Sequence, residues 1–567
     1  MAQKTNVKII FRIILLVCCS IILTDCASQL SPGGGDVDII PPEITDVYPA
    51  NGTTNFQDDH IELQFSEYVD KTSLQAAVFI SPAFDSPLEY DWNGASVNIK
   101  FPEKLKDSIT YVFTIGTDLV DLNNHNRMAK AFSLKFSTGG RIDRGMIFGN
   151  IYDENPSGTM LYAYTVNFAD TVDPSKMKPV YVSQTGKDGA FQLPGLAFGY
   201  TYRIFAVKDE FKDFLYHIGD NHYGAPYRDV ILSENDSLFK NLNFFLAQED
   251  TISPRLLSAA MTDRFHILAE FSEPVDSLLY PADNFYLSDS TADKKIIPKY
   301  CFRGRGKRNE MVLSVADSLS EHNNIFLIAN NITDKTGNKT NFDYTRLTVT
   351  AKPDTSAPVL IKTIPPDRSN NIDVKSPGFS FFYDDGFDSL KLRQSVNASD
   401  KAGAALPIKI SMIDDASFTV RIMAELKPGT DYSITINLKN LSDAAGNRTD
   451  SVYRYTFATF SGQEFTGVSG IVIPGAGMTD NNIQVVLQNI EKDKPVYKKK
   501  TGKKHEFDFN KVEPGKYQIW SYQGKDSASG FSFGRPYPFI KSDRFIFYPD
   551  TLNLRARWPV SDVIIRY

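Results

Sequence analysis

Few residues in this chain are suited to carry chemistry: 7 His and 4 Cys among 567 residues. His217 and His222 lie with Asp213 and Asp220 in the stretch Asp213 to Tyr227. Two imidazoles with a carboxylate are a donor set for Zn²⁺ or another transition metal, although the same stretch reads equally as a solvated loop. Asp384, Asp385 and Asp388 flank Gly386 and offer carboxylate oxygens to Ca²⁺, yet no calcium-loop consensus surrounds them. Lys498, Lys499, Lys500, Lys503 and Lys504 make a basic run across a predicted hairpin, suited to phosphates or an acidic partner and also to a solvated hairpin end. Trp520 and Trp558 could stack on sugar rings, but isolated aromatics on alternating strands more often pack a sheet face. Cys301 reads as an inert, partly buried thiol. His-Glu-x-x-His, Cys-x-x-Cys, Gly-x-Ser-x-Gly, the P-loop and the Rossmann fingerprint are missing, so the sequence assigns no catalytic residue, no metal ligand and no cofactor.

The elements that must position these residues are β-strands. The chain holds 40 Phe and 27 Tyr, a composition that favours sheet. Hydrophobic residues make up 42% and charged residues 23%, which fits ordinary globular domains, and the length calls for several cores rather than one. A net charge of −7 gives no basic field for nucleic acid, so nucleic acid is not an expected partner.

At the start of the chain, Lys4, Lys8 and Arg12 form a basic region, Ile13 to Leu23 an apolar run, and a polar turn follows, the layout of an export signal. The string Leu23-Thr24-Asp25-Cys26 resembles a bacterial lipobox, which implies acylation of Cys26 as the lipid anchor. Asp25 departs from that pattern, and plain secretory cleavage after Ser28 is the alternative. Either way the mature chain keeps Cys301 as a free thiol and forms no intramolecular disulfide.

Internal repeats set the architecture. IELQFSEYVD (61–70) returns as ILAEFSEPVD (267–276) and, in degenerate form, as FSFFYDDGFD (379–388). Each alternates apolar and polar residues before an acidic turn, as a half-buried strand does. Each copy has a Pro-containing opening, at Pro41, Pro254 and Pro358, and closes on a strand and an Asp-bearing turn at 111–126, 325–340 and 432–449. Asp caps its own backbone and Gly or Asn takes positive φ, so turn chemistry accounts for these residues without a ligand. A second repeat fills the gaps: GMIFGNIYD (145–153) with its sequel 188–209 parallels GVSGIVIPG (467–475) with 505–526. Helical periodicity is nearly absent, with one short turn expected over Ser73 to Val78.

On these motifs the first repeat resembles the bacterial Ig-like domain described in surface-layer proteins, and the second the transthyretin-like or carboxypeptidase-regulatory β-sandwich. The combination resembles Bacteroidota lipoproteins, of the outer membrane or cell surface. The resemblance implies an all-β fold, a tandem array of about five β-sandwich domains after a lipoprotein signal peptide. Its parts are a signal peptide over 1–25, a flexible tether over 26–40, Ig-like domains over 41–140, 251–353 and 354–462, and transthyretin-like sandwiches over 141–250 and 463–567. It also suggests O-glycan acceptors, where Asp precedes Ser or Thr and then an apolar residue or Thr: Ser108, Thr171, Ser237, Thr251, Ser277, Ser290, Ser318, Ser389, Ser451, Ser527 and Thr551. Ordinary turn chemistry places Asp-Ser before strands as well.

The expected function is that of a non-catalytic, lipid-anchored envelope protein, a scaffold, adhesion element or accessory subunit of an outer-membrane complex for assembly or secretion. Its expected partners are the outer-membrane bilayer and other envelope proteins, including a barrel complex, with Phe531 to Tyr567 as a docking segment. Which face of the outer membrane it occupies is left open. The alternative is a glycan-binding surface lipoprotein of a nutrient-uptake system, which requires exposed aromatic rings spaced about a sugar apart.

Overall fold

In the strand His60–Phe65 the side chains of Ile61, Leu63 and Phe65 are buried while Glu62 and Gln64 are exposed, the alternation expected of a sheet with one wet face. The same alternation recurs in His266–Phe271 and Gly378–Tyr383, the equivalent strands of the second and third copies. The computed structural model describes residues 37–567 except 85, 167–171, 277–283, 463, 476, 479–481, 492–494 and 525–529. Cys26, the signal peptide, and the acceptors Thr171, Ser277 and Ser527 therefore lie outside the described residues. No helix among the described residues is long and apolar enough to cross a membrane.

The fold is nearly all β. In the first Ig-like module one sheet runs in the order Ile44–Tyr48, His60–Phe65, Ser96–Lys100, Glu89–Asn93, and a second in the order Val78–Ser81, Thr110–Ile115, Phe132–Ser137. The third module repeats this arrangement with two additional strands, Ser369–Ile372 lying parallel to Val452–Thr459 and Ala405–Leu406 antiparallel to Val396–Asp400. In the middle module the long strand Lys339–Thr348 pairs antiparallel with Ile325–Thr333 and, at its end, parallel with Leu256–Met261, joining all its strands into one eight-stranded path. Tyr111 and Tyr432 each accept a hydrogen bond from the main-chain N–H five residues earlier, of Lys106 and Lys427, which fixes a corner of the sandwich. The middle copy has Ile325 at that place.

Each of the two other sandwiches starts with a strand, Gly145–Tyr152 or Thr466–Ile473, that pairs antiparallel with Ala190–Leu196 or Glu506–Val512 and parallel with later segments. The facing sheets are built on Met160–Val166 with Thr201–Val207, and Ile483–Asn489 with Gly515–Gln523. Five large hydrophobic cores are present among the described residues, one in each of these sandwiches, with Phe302 of the middle module joining the core of the third.

Two α-helices of seven residues interrupt the strands among the described residues. Lys71–Ala77 starts at Asp70, whose carboxylate accepts the N–H of Ser73 at 2.6 Å, and Ser389–Ser395 starts at Asp388, which accepts the N–H of Leu390 at 2.8 Å. The first covers the short turn predicted from sequence. The second, at the equivalent place in the third copy, went unread because Ser389–Ser395 presents only Leu392 and Ser395 to the core, too little for a helical period.

The described residues divide into two compact units, one reaching to Asp143 together with Ser183–Asp188, the other comprising Arg144–Val182 and Gly189–Tyr567. Within the second unit the last sandwich packs against the first. Tyr152 and Phe245 of the first sandwich of this unit join Trp520, Tyr522, Phe531, Phe545 and Phe547 of the last in one aromatic cluster. The closing segment, expected to dock a partner, therefore uses much of its aromatic surface inside the chain.

Candidate functional site

Three acidic residues recur at the opening of every Ig-like module: one just before the opening Pro, one at the end of the first-repeat strand, and one in the closing turn. They are Asp38, Glu67 and Asp121 in the first module, Asp250, Glu273 and Asp334 in the second, and Asp354, Asp385 and Asp443 in the third. The same hydrogen bonds assemble each set. The closing-turn Asn donates its side-chain N–H to the main-chain carbonyl of the opening Asp: Asn126 to Asp38 at 2.9 Å, Asn338 to Asp250 at 2.9 Å and Asn447 to Asp354 at 3.4 Å. The residue before the strand-end acid clamps the opening segment. Ser66 accepts from the N–H of Glu43, Ser272 from Arg255, and Asp384, standing where the others have Ser, from Val359 at 2.7 Å.

The closing-turn carboxylates organise their own loops. Asp334 accepts the Thr336 hydroxyl and the Asn338 side-chain N–H at 2.8 and 2.9 Å and main-chain N–H groups from Thr336, Gly337 and Asn338 at 2.7–2.9 Å; burial opposes its charge, but these bonds, the side-chain ones foremost, hold its carboxyl below the usual range. The strand-end acids are in the opposite condition. Burial, with the charges of Asp121 and Asp38, pushes Glu67 up, and burial with Asp250 and Asp334 does the same to Glu273. In the second and third modules, one oxygen from each of the three carboxylates lies within 4.8 Å of the other two.

The third set is the most enclosed. Asp385 is 7% and Asp443 3% exposed, and the side chain of Asp354 is 5% exposed. Burial raises all three carboxyl pKa values, with mutual repulsion adding to it. His266 of the middle module stands beside them, its Nδ1 against Asp263 at 2.9 Å and its Nε2 against Asp385 at 3.0 Å. Burial works against the charged ring, but these carboxylates outweigh it and push the pKa up to about 10, making His266 an imidazolium at neutral pH. Asp354 Oδ1 accepts the N–H of Ser356, while its Oδ2 is buried without a hydrogen-bond partner. Such an arrangement attracts cations and holds segments together; nothing in it resembles a nucleophile with its base.

The residues singled out from sequence fall elsewhere or apart. Asp384 bonds Val359 and pairs with Arg305 at 2.8 Å, Asp388 caps a helix, and Asp385 alone of that trio joins the acidic set. His217 pairs with Asp213 at 2.9 Å and its ring lies 4.5 Å from that of Phe211, while His222 sits in the strand His222–Gly224. No three possible metal ligands of that loop come within 4.8 Å of one another among the described residues. Of the lysine run, Lys499 bonds Asp508, Lys500 bonds Asn482 at 2.7 Å, and Lys498 lies over the ring of Tyr522. Trp520 is 8% exposed within the aromatic cluster, unavailable to a sugar, whereas Trp558 is 75% exposed. Cys301 is buried, its Sγ 3.2 Å from Met311 Sδ, and burial raises its thiol pKa, as expected of an inert thiol. Ser108, Thr251, Ser290, Ser318, Ser389, Ser451 and Thr551 are exposed and Ser237 half-buried. The acidic sets themselves went unrecognised, because their one signal in the sequence, an Asp three or four residues ahead of each opening Pro, is a single residue type in a variable stretch.

Residues 38–138 and 354–459 match a family model described as a bacterial Ig-like domain. These are the two copies whose motifs depart most from the shared pattern; the middle copy shares with them the hydrogen bonds that fix the opening segment. No curated protein matches the sequence. Among solved structures, the chain resembles the N-terminal part of the bacterial S-layer protein SbsC at 14% identity, over 36% of this chain and 44% of that one, with a TM-score of 0.17. It resembles domains 1–6 of SbsC at 10% identity, over 86% of this chain and 66% of that one, with a TM-score of 0.16. It also resembles a tetra-tandem repeat from the extending region of a large adhesion protein at 11% identity, over 71% of this chain and 99% of that one, with a TM-score of 0.15.

Proposed function

We propose that this chain is a non-catalytic scaffold of the bacterial cell envelope, anchored to the outer membrane by acylation of Cys26 and binding other envelope proteins as an adhesion element or accessory subunit. The observation that carries the reading is the repeated module opening. Three Ig-like modules devote their closing-turn Asn to fixing the segment that leads into each sandwich, which is work of construction rather than of turnover. The family match over residues 38–138 and 354–459 supports a bacterial Ig-like array, and the lipobox-like string ending at Cys26 supports the anchor. The shared strand order of the two other sandwiches supports their transthyretin-like reading. Exposed loop tips and sheet edges supply the binding surface.

The glycan-binding reading draws on one feature. Phe342 and Tyr344, 56% and 59% exposed on one face of a strand, hold their ring centroids 5.9 Å apart. Mild crosslinking of the tagged protein in intact membranes, with mass spectrometry of its N-terminal peptide and of co-purifying proteins, separates the readings. Acylated Cys26 with a stoichiometric barrel protein is the expected result. An unmodified N-terminus near Gln29 with no protein partner would end the scaffold proposal and leave glycan binding as the better reading. Protease treatment of whole cells assigns the membrane face.

A further inference from the structure

We propose that Asp354, Asp385 and Asp443 form a Ca²⁺ site at the opening of the third Ig-like module, and that Asp250, Glu273 and Asp334 form its second copy at the opening of the middle one. Three carboxylates converge in each place with an oxygen apiece inside 4.8 Å. Like charges so close repel, and most strongly in the third module, where the side chains are withdrawn from water; in the middle module Asp250 is exposed and Glu273 half-buried.

The independent pointer to a ligand is Asp354. Its side chain is 5% exposed, its Oδ2 is buried with no hydrogen-bond donor, and one of its carboxylate oxygens lies within 4.8 Å of an oxygen of each of the other two carboxylates. A buried acceptor left in that state is costly, and buried polar atoms almost always have a partner. In the second set Glu273 is half-buried, and its Oε1 is a buried atom without a partner.

His266 supplies one positive charge to the third set, but its two nitrogens are committed to Asp263 and Asp385. Its Nδ1 is 3.9 Å from Asp354 Oδ2, beyond hydrogen-bond range. One imidazolium set against Asp263, Asp354, Asp385 and Asp443 leaves the group negative. The second set has three carboxylates and no imidazole.

The donor chemistry selects the ion. Carboxylate oxygens without thiolate or free imidazole suit a hard cation rather than Zn²⁺. Ca²⁺ binds oxygens at about 2.3–2.6 Å in flexible geometry, so ligands on opposite sides of it lie about 5 Å apart, as these sets allow. Mg²⁺ requires a tighter, near-octahedral shell and sheds its waters reluctantly. An ion in either place would tie the opening segment to the strand end and the closing turn of the module it enters, stiffening that junction. The inference does not depend on where in the envelope the protein resides.

The test uses the full chain in detergent, freed of metal with a chelator. Equilibrium dialysis against ⁴⁵Ca²⁺ up to about 1 mM, the range of extracellular calcium modules, is expected to give two saturable sites. Melting should rise with Ca²⁺ and little with Mg²⁺. Asp354→Asn is isosteric and relieves the repulsion, so it should melt higher than wild type without Ca²⁺, bind one ion fewer, and lose part of the Ca²⁺-dependent rise. Glu273→Gln should remove the other ion. A residue that merely shaped the fold would not stabilise the metal-free protein when replaced. No saturable binding to the wild type overturns the proposal and leaves His266 as the sole neutralising charge; binding unchanged in both variants overturns it too. A single site lost in Asp354→Asn overturns only the second copy. Should Asp354→Asn fail to fold, the wild-type stoichiometry and Glu273→Gln still decide.

Discussion

Asp121 is fully buried and remains ionised because four main-chain N–H groups, those of Asn123, Asn124, His125 and Asn126, converge on its two oxygens at 2.6–3.1 Å. Burial opposes the charge, but these bonds hold its carboxyl below the ordinary value of 3.8, even with Glu67 near it at the strand end. A carboxyl whose folded pKa lies below its unfolded value contributes stability that is present above the unfolded pKa and is lost as the pH falls through the folded one. The first module should therefore weaken below about pH 4. With Trp520 and Trp558 replaced by Phe, Trp92 fluorescence reports on this module alone, and its denaturant midpoint should fall on acidification. Asp121→Asn should cost about 2 kcal/mol at neutral pH, the loss of charge-assisted hydrogen bonds, and should flatten the acid limb. An acid limb of unchanged slope in the variant would assign it to other carboxylates.

Among the elements, the strands Gly145–Tyr152 and Thr466–Ile473, which open the two remaining sandwiches, share a constraint. A Cβ on Gly149 would fall inside contact distance of the Leu242 carbonyl, and one on Gly470 of the Val563 carbonyl, while Phe191 and Phe507 cover the same two glycines. The parallel partner strand can approach only because no side chain intervenes. Gly149→Ala and Gly470→Ala should each cost about 2 kcal/mol or more by forcing the strands apart, read as a lower denaturant midpoint, and a neutral effect would mean the partner strand yields freely. Patterns of this local kind were legible in the sequence. Alternation in IELQFSE and ILAEFSE marks strands because each copy buries its own Ile and Phe, and the Asp and Asn of the closing turns are explained by bonds within five residues. What depended on distant partners was not legible. Asp384, Asp385 and Asp388 are neighbours in sequence but belong to an opening clamp, an acidic set and a helix cap, and only the fold sends them in three directions. Asp250 and Asp354 gain meaning from a turn about 90 residues later, which composition and periodicity do not register.

At the scale of the whole molecule, the second unit is closed by contacts between its two ends rather than by the junctions alone. Phe245 stacks on Phe545 at 4.3 Å and meets Trp520 and Phe531 edge-on at 5.2 Å, while Tyr152 stacks on Phe547 at 4.3 Å. Around this cluster, the guanidinium of Arg203 lies 3.8 Å from the ring centre of Phe539, Arg535 pairs with Glu249 at 3.0 Å, and the Tyr223 hydroxyl donates to the Gly534 carbonyl at 3.0 Å. Aromatic burial of this size dominates packing energy, and the flanking polar contacts fix its register. The Ig-like modules lying between the two sandwiches in sequence are thereby held in a closed circuit, so strain at either junction is shared by the cluster. Removing Phe245 should open that circuit without unfolding either sandwich, since Phe245 lies outside the first sandwich's own buried core. Phe245 is half-buried, so Phe245→Ala is expected to lower the stability of the unit by about 3 kcal/mol, the low end for truncation of a buried Phe. With Trp92 and Trp558 replaced by Phe, Trp520 is the sole indole, and its emission should shift to the red as water reaches it while far-ultraviolet circular dichroism stays unchanged. Unshifted emission would show that the last sandwich shields Trp520 by itself and that the circuit stays closed without Phe245.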